Sequence, residues 1–227
     1  LWALLATVWA SAAVAAEPNA NTLAEIPKAM QQFVDQHQIA GAVTVVGKPD
    51  RILQIAAVGM SDIASGKPMT RDSLFRIASM TKPITATAIM ILVDEGKLSI
   101  DDEVEKHLPE FRGQMLIAER EPEAVVLKKP SRKITVRDLL THTSGLPSTF
   151  PEGLSDIYRK RTHTLAEVVM AISQRPLEFE PGSRWAYSNA GIDTLGRIVE
   201  VVSGQPFEKF LQQRIFDPLG MRDTTFF

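Results

Sequence analysis

The sequence contains a single clear hairpin, and this limits what the chain can fold into. Two β-type runs, residues 42–46 and 52–58, flank Gly47-Lys48-Pro49-Asp50, in which Gly, Pro and Asp supply a turn. Because an isolated hairpin is barely stable in water, two strands make a poor sheet. The chain is therefore either mostly helical, or the rest of its sheet lies beyond residue 227.

Most of the other segments predict helices. Residues 22–38 place apolar side chains at a helical period, and residues 79–95 form a helical run that ends at Gly96. Residues 61–70 predict a polar loop, and residues 101–130 predict loops with short helical pieces. The remaining predicted helices are residues 136–142, 165–173, 188–202 and 207–216.

The first sixteen residues differ from the rest of the chain. Residues 1–16 carry no charge and end in Ala13-Val14-Ala15-Ala16, which is typical of the apolar region and cleavage site of a secretory signal peptide. A membrane anchor is the alternative, but the run is short for a bilayer span of about 20 residues. We therefore expect a periplasmic or secreted protein without a membrane span after cleavage, whose folded domain occupies residues 17–227.

Charge and residue usage exclude several function classes. The formal net charge is −2 and the sequence shows no cluster of Lys and Arg, so no nucleic-acid partner is expected. The chain has no cysteine, and its four histidines are scattered, without the spacing of a helical zinc site. We expect neither a metal nor a cofactor, and we interpret His142, near a predicted helix end, as structural.

Ser79-Met80-Thr81-Lys82 is the first candidate for chemistry. Pro83 is tolerated only in the first turn of a helix, so the helix begins near Ser79. Residues three apart share a helical face, which brings the Lys82 amine within reach of the Ser79 hydroxyl. Such an amine can activate a weak serine nucleophile, provided that it is unprotonated. The structural alternative is a capping serine with a solvated lysine.

Tyr187-Ser188-Asn189 is the second candidate. The phenol of Tyr187 can accept or relay a proton if it lies near Lys82. The amide of Asn189 can bind a substrate carbonyl or the lysine, and Ser188 can cap the helix that follows. For Tyr187 the alternative is a half-buried aromatic residue, and Trp185 either lines a cleft or packs beneath it.

Together the two motifs resemble the serine β-lactamase and penicillin-binding-protein superfamily. A Tyr-x-Asn second element is similar to the branch of class C β-lactamases, D-Ala-D-Ala carboxypeptidases and family VIII esterases, whereas class A enzymes have Ser-Asp-Asn. The resemblance covers about residues 22–227. It includes three more stretches similar to that branch, residues 74–78, 139–146 and 216–221.

The resemblance implies an α/β fold, in which a sheet is flanked by helices and a helical subdomain is present. The family also has a third motif, Lys-Thr-Gly or His-x-Gly, and no such triplet follows Tyr187. We therefore expect the chain to be the N-terminal part of the fold, truncated at its C-terminus and inactive alone. A natural truncation without activity is the alternative.

The resemblance also implies a serine hydrolase that forms an acyl-enzyme on Ser79, with Lys82 and Tyr187 catalytic and Asn189 binding substrate. The expected substrate is a small ester, peptide or β-lactam. Because Ser-Met-Thr-Lys looks more like esterase members, an esterase or peptidase is favoured. The alternatives are a dedicated class C-type β-lactamase and a non-catalytic sensor or binding protein.

Overall fold

The computed structural model describes residues 19–148 and 162–226, with Asp156 between them. The predicted signal peptide lies outside these residues. The chain divides into two compact units between Arg76 and Ile77. In the described ranges, no helix is long and apolar enough to cross a membrane.

The first unit places one helix beside a three-stranded antiparallel sheet. Helix α1 (Ala20–Asp35) precedes β1 (Gly41–Lys48), β2 (Arg51–Asp62) and β3 (Lys67–Pro68), and the strands lie in the order β1-β2-β3. The predicted hairpin is therefore confirmed. The predicted loop over residues 61–70 is wrong in part, because β2 continues to Asp62 and pairs with β3.

A glycine lets the segment from α1 to β1 pack closely against β2. Gly59 in β2 has a φ of 74°, and a Cβ at this position would collide with the carbonyl oxygen of Ala40 and meet the side chain of Val34. Gln54 in the same strand also donates a hydrogen bond to the carbonyl of Leu23 in α1, at 2.5 Å. These contacts hold the helix against the strand.

The second unit is mainly helical. A 3₁₀ turn (Ala78–Met80) leads into α2 (Thr81–Asp94), and a π-helical turn (Gln212–Phe216) ends the helical region. The other helices are α3 (Val104–His107), α4 (Val136–Leu140), α5 (Leu165–Ser173), α6 (Asn189–Ser203) and α7 (Phe207–Leu211), with a further 3₁₀ turn at Pro109–Phe111. The predicted helices over these segments are confirmed to within two residues at each end, except that residues 207–216 form α7 followed by the π-helical turn.

The interpretation of residues 101–130 as loops and short helical pieces is wrong in part. This segment also contains a hairpin of β4 (Leu116–Arg120) and β5 (Val125–Lys128). A bulge between Ile117 and Glu119 breaks the alternation of the pairing. The bulge, together with the charged residues in the strands, therefore hid the alternating pattern that would have predicted this hairpin.

Helix α6 is the centre of the second unit. Leu195, Ile198 and Val199 of α6 are fully buried, and the helix packs against α2, α4 and α5. Gly191 of α6 lies against Leu139 of α4. Capping boxes begin α4 and α5, which fixes where these short helices start. This packing places the start of α6 close to the start of α2. The motif of Ser79 and Lys82 lies at the start of α2, and the motif of Tyr187 and Asn189 lies at the start of α6.

Candidate active site

Ser79 lies in the 3₁₀ turn that opens α2, as its sequence context predicts. The preceding Ala78 has a φ of 44°, a left-handed conformation that is strained for a residue with a side chain. The turn leaves the Ser79 side chain exposed at the helix start. Among the described residues, no acceptor receives the backbone N–H of Ser79, as expected for the first turn of a helix.

Lys82 lies one turn further along, on the same face. Its Nζ is 3.3 Å from Ser79 Oγ and donates a hydrogen bond to Asn189 Oδ1 at 2.7 Å. Asn189 is the first residue of α6, where the Ser188 hydroxyl caps the helix by accepting from the N–H of Gly191. Of the two predicted partners of Asn189, a substrate carbonyl and the lysine, the structure therefore shows the lysine.

Tyr187 completes the cluster. Its hydroxyl lies 2.7 Å from Ser79 Oγ, and Lys82 Nζ lies 4.6 Å from the centre of its ring. The hydrogen bond with Lys82, followed by the one with Ser79, lowers the pKa of the Tyr187 phenol from its usual value of 10.0. A tyrosine with a lowered pKa gives up its proton more readily, so it can act as a base.

His142 also belongs to this cluster, although sequence reasoning treated it as structural only. It has a φ of 58°, and its carbonyl accepts from the N–H of Ala186 at 2.9 Å. Its Nδ1 accepts from the N–H of Ser188 at 3.2 Å, which requires the neutral tautomer protonated on Nε2. The histidine thus binds the residues on both sides of Tyr187, and its ring lies 4.8 Å from the tyrosine ring.

The surroundings favour the neutral form of His142. Burial, and then the positive charge of Lys82, lower the pKa of this imidazole below 6.5. The signal that could have found His142 was its place in residues 139–146, one of the family-like stretches. Its contacts with Tyr187 and Ser188 depend on tertiary packing, so spacing alone did not show them.

Trp185 forms an aromatic rim beside the cluster. It is 65% exposed, and its ring centre lies 6.5 Å from that of Tyr187 and 6.0 Å from that of His142. This exposure favours lining over packing beneath the site. In the part of the chain that the structure describes, no three His, Cys, Asp or Glu side chains are grouped to hold a metal ion.

The chemistry available here is proton transfer around one exposed hydroxyl. Ser79 Oγ has two neighbours that can take its proton, the Tyr187 oxygen and the Lys82 amine. The unused Ser79 N–H, at the positive end of α2, can donate to a negatively charged oxygen. These are the elements needed to acylate a serine.

Comparison with known proteins places this site in a family. The profile of the Beta-lactamase family matches residues 26–227. The chain belongs to this family. Esterase EstB of Burkholderia gladioli is 37% identical over 216 residues, which is 91% of this chain and 52% of EstB. Lovastatin esterase of Penicillium rubens is 33% identical over 205 residues, or 87% of this chain and 51% of that enzyme.

Solved structures agree with the sequence relatives. EstCE1, described as a hydrolase with promiscuous acyltransferase activity, superposes with a TM-score of 0.78 at 31% identity, over 91% of this chain and 54% of that one. Simvastatin synthase (LovD) of Aspergillus terreus gives a TM-score of 0.74 at 28% identity, over 92% and 55%. The chain spans about half the length of the relatives it matches.

These comparisons confirm the predicted superfamily and fold class. The protein has the α/β fold of β-lactamases and transpeptidases, and its relatives are esterases, acyltransferases and penicillin-binding proteins. It therefore belongs to a family of serine hydrolases. The roles of Ser79, Lys82, Tyr187 and Asn189 stay predictions, although the structure brings all four side chains together.

Proposed function

We propose that the whole protein hydrolyses esters through an acyl-enzyme formed on Ser79. The observation that carries this proposal is the pair of contacts to Ser79 Oγ, 2.7 Å from Tyr187 and 3.3 Å from Lys82. A serine hydroxyl is a weak nucleophile until a neighbouring base removes its proton. An exposed serine whose oxygen contacts both a phenol and an amine is well placed for this reaction.

Tyr187 is the proton acceptor in this proposal. It is the nearer of the two groups, and its pKa is lowered by the hydrogen bonds with Lys82 and Ser79. As Ser79 Oγ bonds to the substrate carbonyl carbon, its proton passes to the Tyr187 oxygen. The same proton then moves to the leaving alcohol as the ester bond breaks. Water repeats the two steps to release the acid.

Lys82 and Asn189 keep the base charged and in place. The positive charge of Lys82 stabilises a negative Tyr187 oxygen, while Asn189 fixes the lysine through its side-chain carbonyl at 2.7 Å. In this arrangement Asn189 acts mainly on Lys82, and it contacts substrate only at the edge of the cluster. The Ser79 N–H supplies one donor for the oxyanion of the tetrahedral intermediate.

The preference for esters rests on the relatives and on the rim of the site. EstB and lovastatin esterase are named as esterases, whereas the name of another relative, penicillin-binding protein 4* of Bacillus subtilis (31% identical over 192 residues), points to a β-lactam ligand. Trp185 and Tyr187 present exposed aromatic surface beside Ser79, which suits an apolar acyl or alcohol group. A β-lactamase or a carboxypeptidase is the second candidate.

The test compares three classes of substrate, esters, a β-lactam and a peptide, on the full-length protein. We expect p-nitrophenyl acetate and butyrate to turn over faster than nitrocefin or a D-Ala-D-Ala peptide, and Ser79→Ala to abolish all of these activities. Faster turnover of nitrocefin would support the β-lactamase instead. Ester hydrolysis that persists in Ser79→Ala, or no hydrolysis by a folded wild-type protein, would contradict the proposal.

A further inference from the structure

The stretch of chain that carries Tyr187 has no regular secondary structure. Residues 185–188 precede α6 and belong to neither a helix nor a strand. Their backbone is held instead by hydrogen bonds from residues 142–148, which connect α4 to the rest of the second unit. The position of the Tyr187 phenol therefore depends on contacts with this second segment.

The peptide unit between Tyr187 and Ser188 is bound on both sides. A trans peptide is planar, and its C=O and N–H groups point in opposite directions. On one side the Ser188 N–H donates to His142 Nδ1 at 3.2 Å. On the other side the Tyr187 carbonyl accepts from Ser148 Oγ at 2.5 Å. Two side chains of one segment thus fix the rotation of this peptide plane.

The orientation of the plane decides where the tyrosine side chain lies. Rotating the plane changes ψ of Tyr187 and φ of Ser188, which has the extended conformation of a helix cap, with a φ of −135° and a ψ of 118°. The Tyr187 hydroxyl is at the far end of a rigid ring, so a small backbone rotation moves it by a larger distance. Its 2.7 Å contact with Ser79 Oγ tolerates little of this movement, because displacing a reacting group by about 1 Å can cost about 100-fold in rate.

We propose that Ser148 is a positioning residue for the chemistry at Ser79, an inference that rests on the function proposed above. The Ser148 hydroxyl, opposite the His142 ring, orients the peptide unit and so keeps the Tyr187 phenol on the Ser79 oxygen. Ser148 acts through Tyr187 and carries no proton of the reaction. It is 39 residues from Tyr187 in sequence and lies just past the family-like stretch 139–146, so no motif indicated it.

The experiment measures how fast a fluorophosphonate labels Ser79 in the full-length protein. Ser148→Ala should lower this rate, and kcat for ester hydrolysis, about three- to tenfold, with little change in KM or melting temperature. The loss is modest because Ser148 is exposed, and water can bind the Tyr187 carbonyl in its place. Ser148→Thr keeps the hydroxyl donor and should restore most of the rate.

A matched control comes from the same segment. Ser144 is buried, and its hydroxyl accepts from the N–H of Leu146 at 3.2 Å, within the segment. Ser144→Ala should therefore lower the melting temperature and leave the labelling rate per folded molecule unchanged. A double-mutant cycle with Tyr187→Phe separates positioning from a general structural role. Once the phenol is absent, Ser148→Ala should cause no further loss.

An unchanged labelling rate in Ser148→Ala would overturn the proposal, and so would a Ser148→Thr variant as slow as Ser148→Ala. A full loss in the Tyr187→Phe background would also overturn it, because Ser148 would then act independently of the phenol. The proposed ester activity fails separately. A wild-type protein that prefers nitrocefin contradicts that activity, yet Ser148→Ala should still lower nitrocefin turnover by the same factor.

Discussion

The second unit contains two hydrogen-bonded side-chain clusters, one around Ser79 and one around Asp138. Each includes a basic side chain, but the two clusters differ in exposure. Asp138 is 4% exposed, and its carboxylate accepts from Arg132 at 2.6 and 2.8 Å and from the N–H and hydroxyl of Thr135, both at 2.9 Å. Ser79 and Tyr187, in contrast, are both exposed and share a 2.7 Å contact. One cluster is enclosed, and the other is open to a ligand.

The difference shows how the same interactions serve either stability or reactivity. Burial acts to raise the pKa of Asp138, but the hydrogen bonds from Arg132 and Thr135 outweigh it and keep the carboxyl ionised. Every contact there fixes one charge state and one geometry. Around Ser79 the contacts lower the pKa of Tyr187 and so make proton movement easier. A buried and satisfied network stabilises the fold, while an exposed network around a hydroxyl can react.

The largest effect that separates the clusters should come from Tyr187→Phe. This change removes the phenol oxygen, the proton acceptor of the proposed mechanism, but keeps the ring that packs on His142. We expect kcat for ester hydrolysis to fall about 100- to 10,000-fold, with little change in KM or melting temperature. Steady-state kinetics on the full-length protein measure this, with Trp185→Phe as the aromatic control. An equal loss in both variants would mean that the aromatic rim, and not the phenol oxygen, matters.

Asp138→Asn should show the opposite pattern. It removes the carboxylate of a buried pair and weakens the capping box of α4, so the free energy of unfolding should fall by about 2 kcal/mol. This loss is smaller than for a fully buried ion pair, because the Arg132 side chain is 44% exposed and water can solvate its charge. Urea unfolding measures the loss, and activity per folded molecule should not change.

Asp101→Asn is the matched control for Asp138. Asp101 also pairs with an arginine, Arg137, at 2.8 Å, but its side chain is 70% exposed. Because such an exposed pair is hydrated and screened, its removal should leave the free energy of unfolding almost unchanged. If the two variants lose the same stability, burial is not what distinguishes the enclosed cluster.

The smallest effect concerns the pH dependence contributed by His142. Its pKa is lowered below 6.5, so it is neutral at neutral pH and becomes protonated only as the pH falls through that lowered value. Protonation removes the Nδ1 acceptor of the Ser188 N–H and adds a positive charge near Lys82. The ester kcat/KM should therefore fall a few-fold on the acid side, below pH 6.5.

His142→Asn tests this assignment. Asparagine tolerates the left-handed backbone and keeps an acceptor oxygen, but it does not titrate. The acid limb should disappear in this variant, while the rise of activity with deprotonation of Tyr187, at higher pH, should remain. An unchanged acid limb would assign it to a group other than His142.

The sequence predicted which residues form the candidate site better than it predicted the surrounding fold. Ser79 and Lys82 are joined by one helical turn, and Tyr187 and Asn189 flank a capping serine, so local rules place each pair. The proximity of the two pairs could be predicted only from the family resemblance, because it depends on α2 packing against α6. The hairpin of β4 and β5 was missed, since its bulge disrupts the alternation on which strand prediction rests.

The central claim is that Ser79 is a nucleophile because Tyr187 and Lys82 surround its hydroxyl. It is tested most directly by treating the full-length protein with a fluorophosphonate and mapping the adduct by mass spectrometry. We predict one adduct, on Ser79, that forms more slowly in Tyr187→Phe and is absent in Ser79→Ala. An adduct on another serine, or equal labelling of Ser79→Ala, would contradict the account.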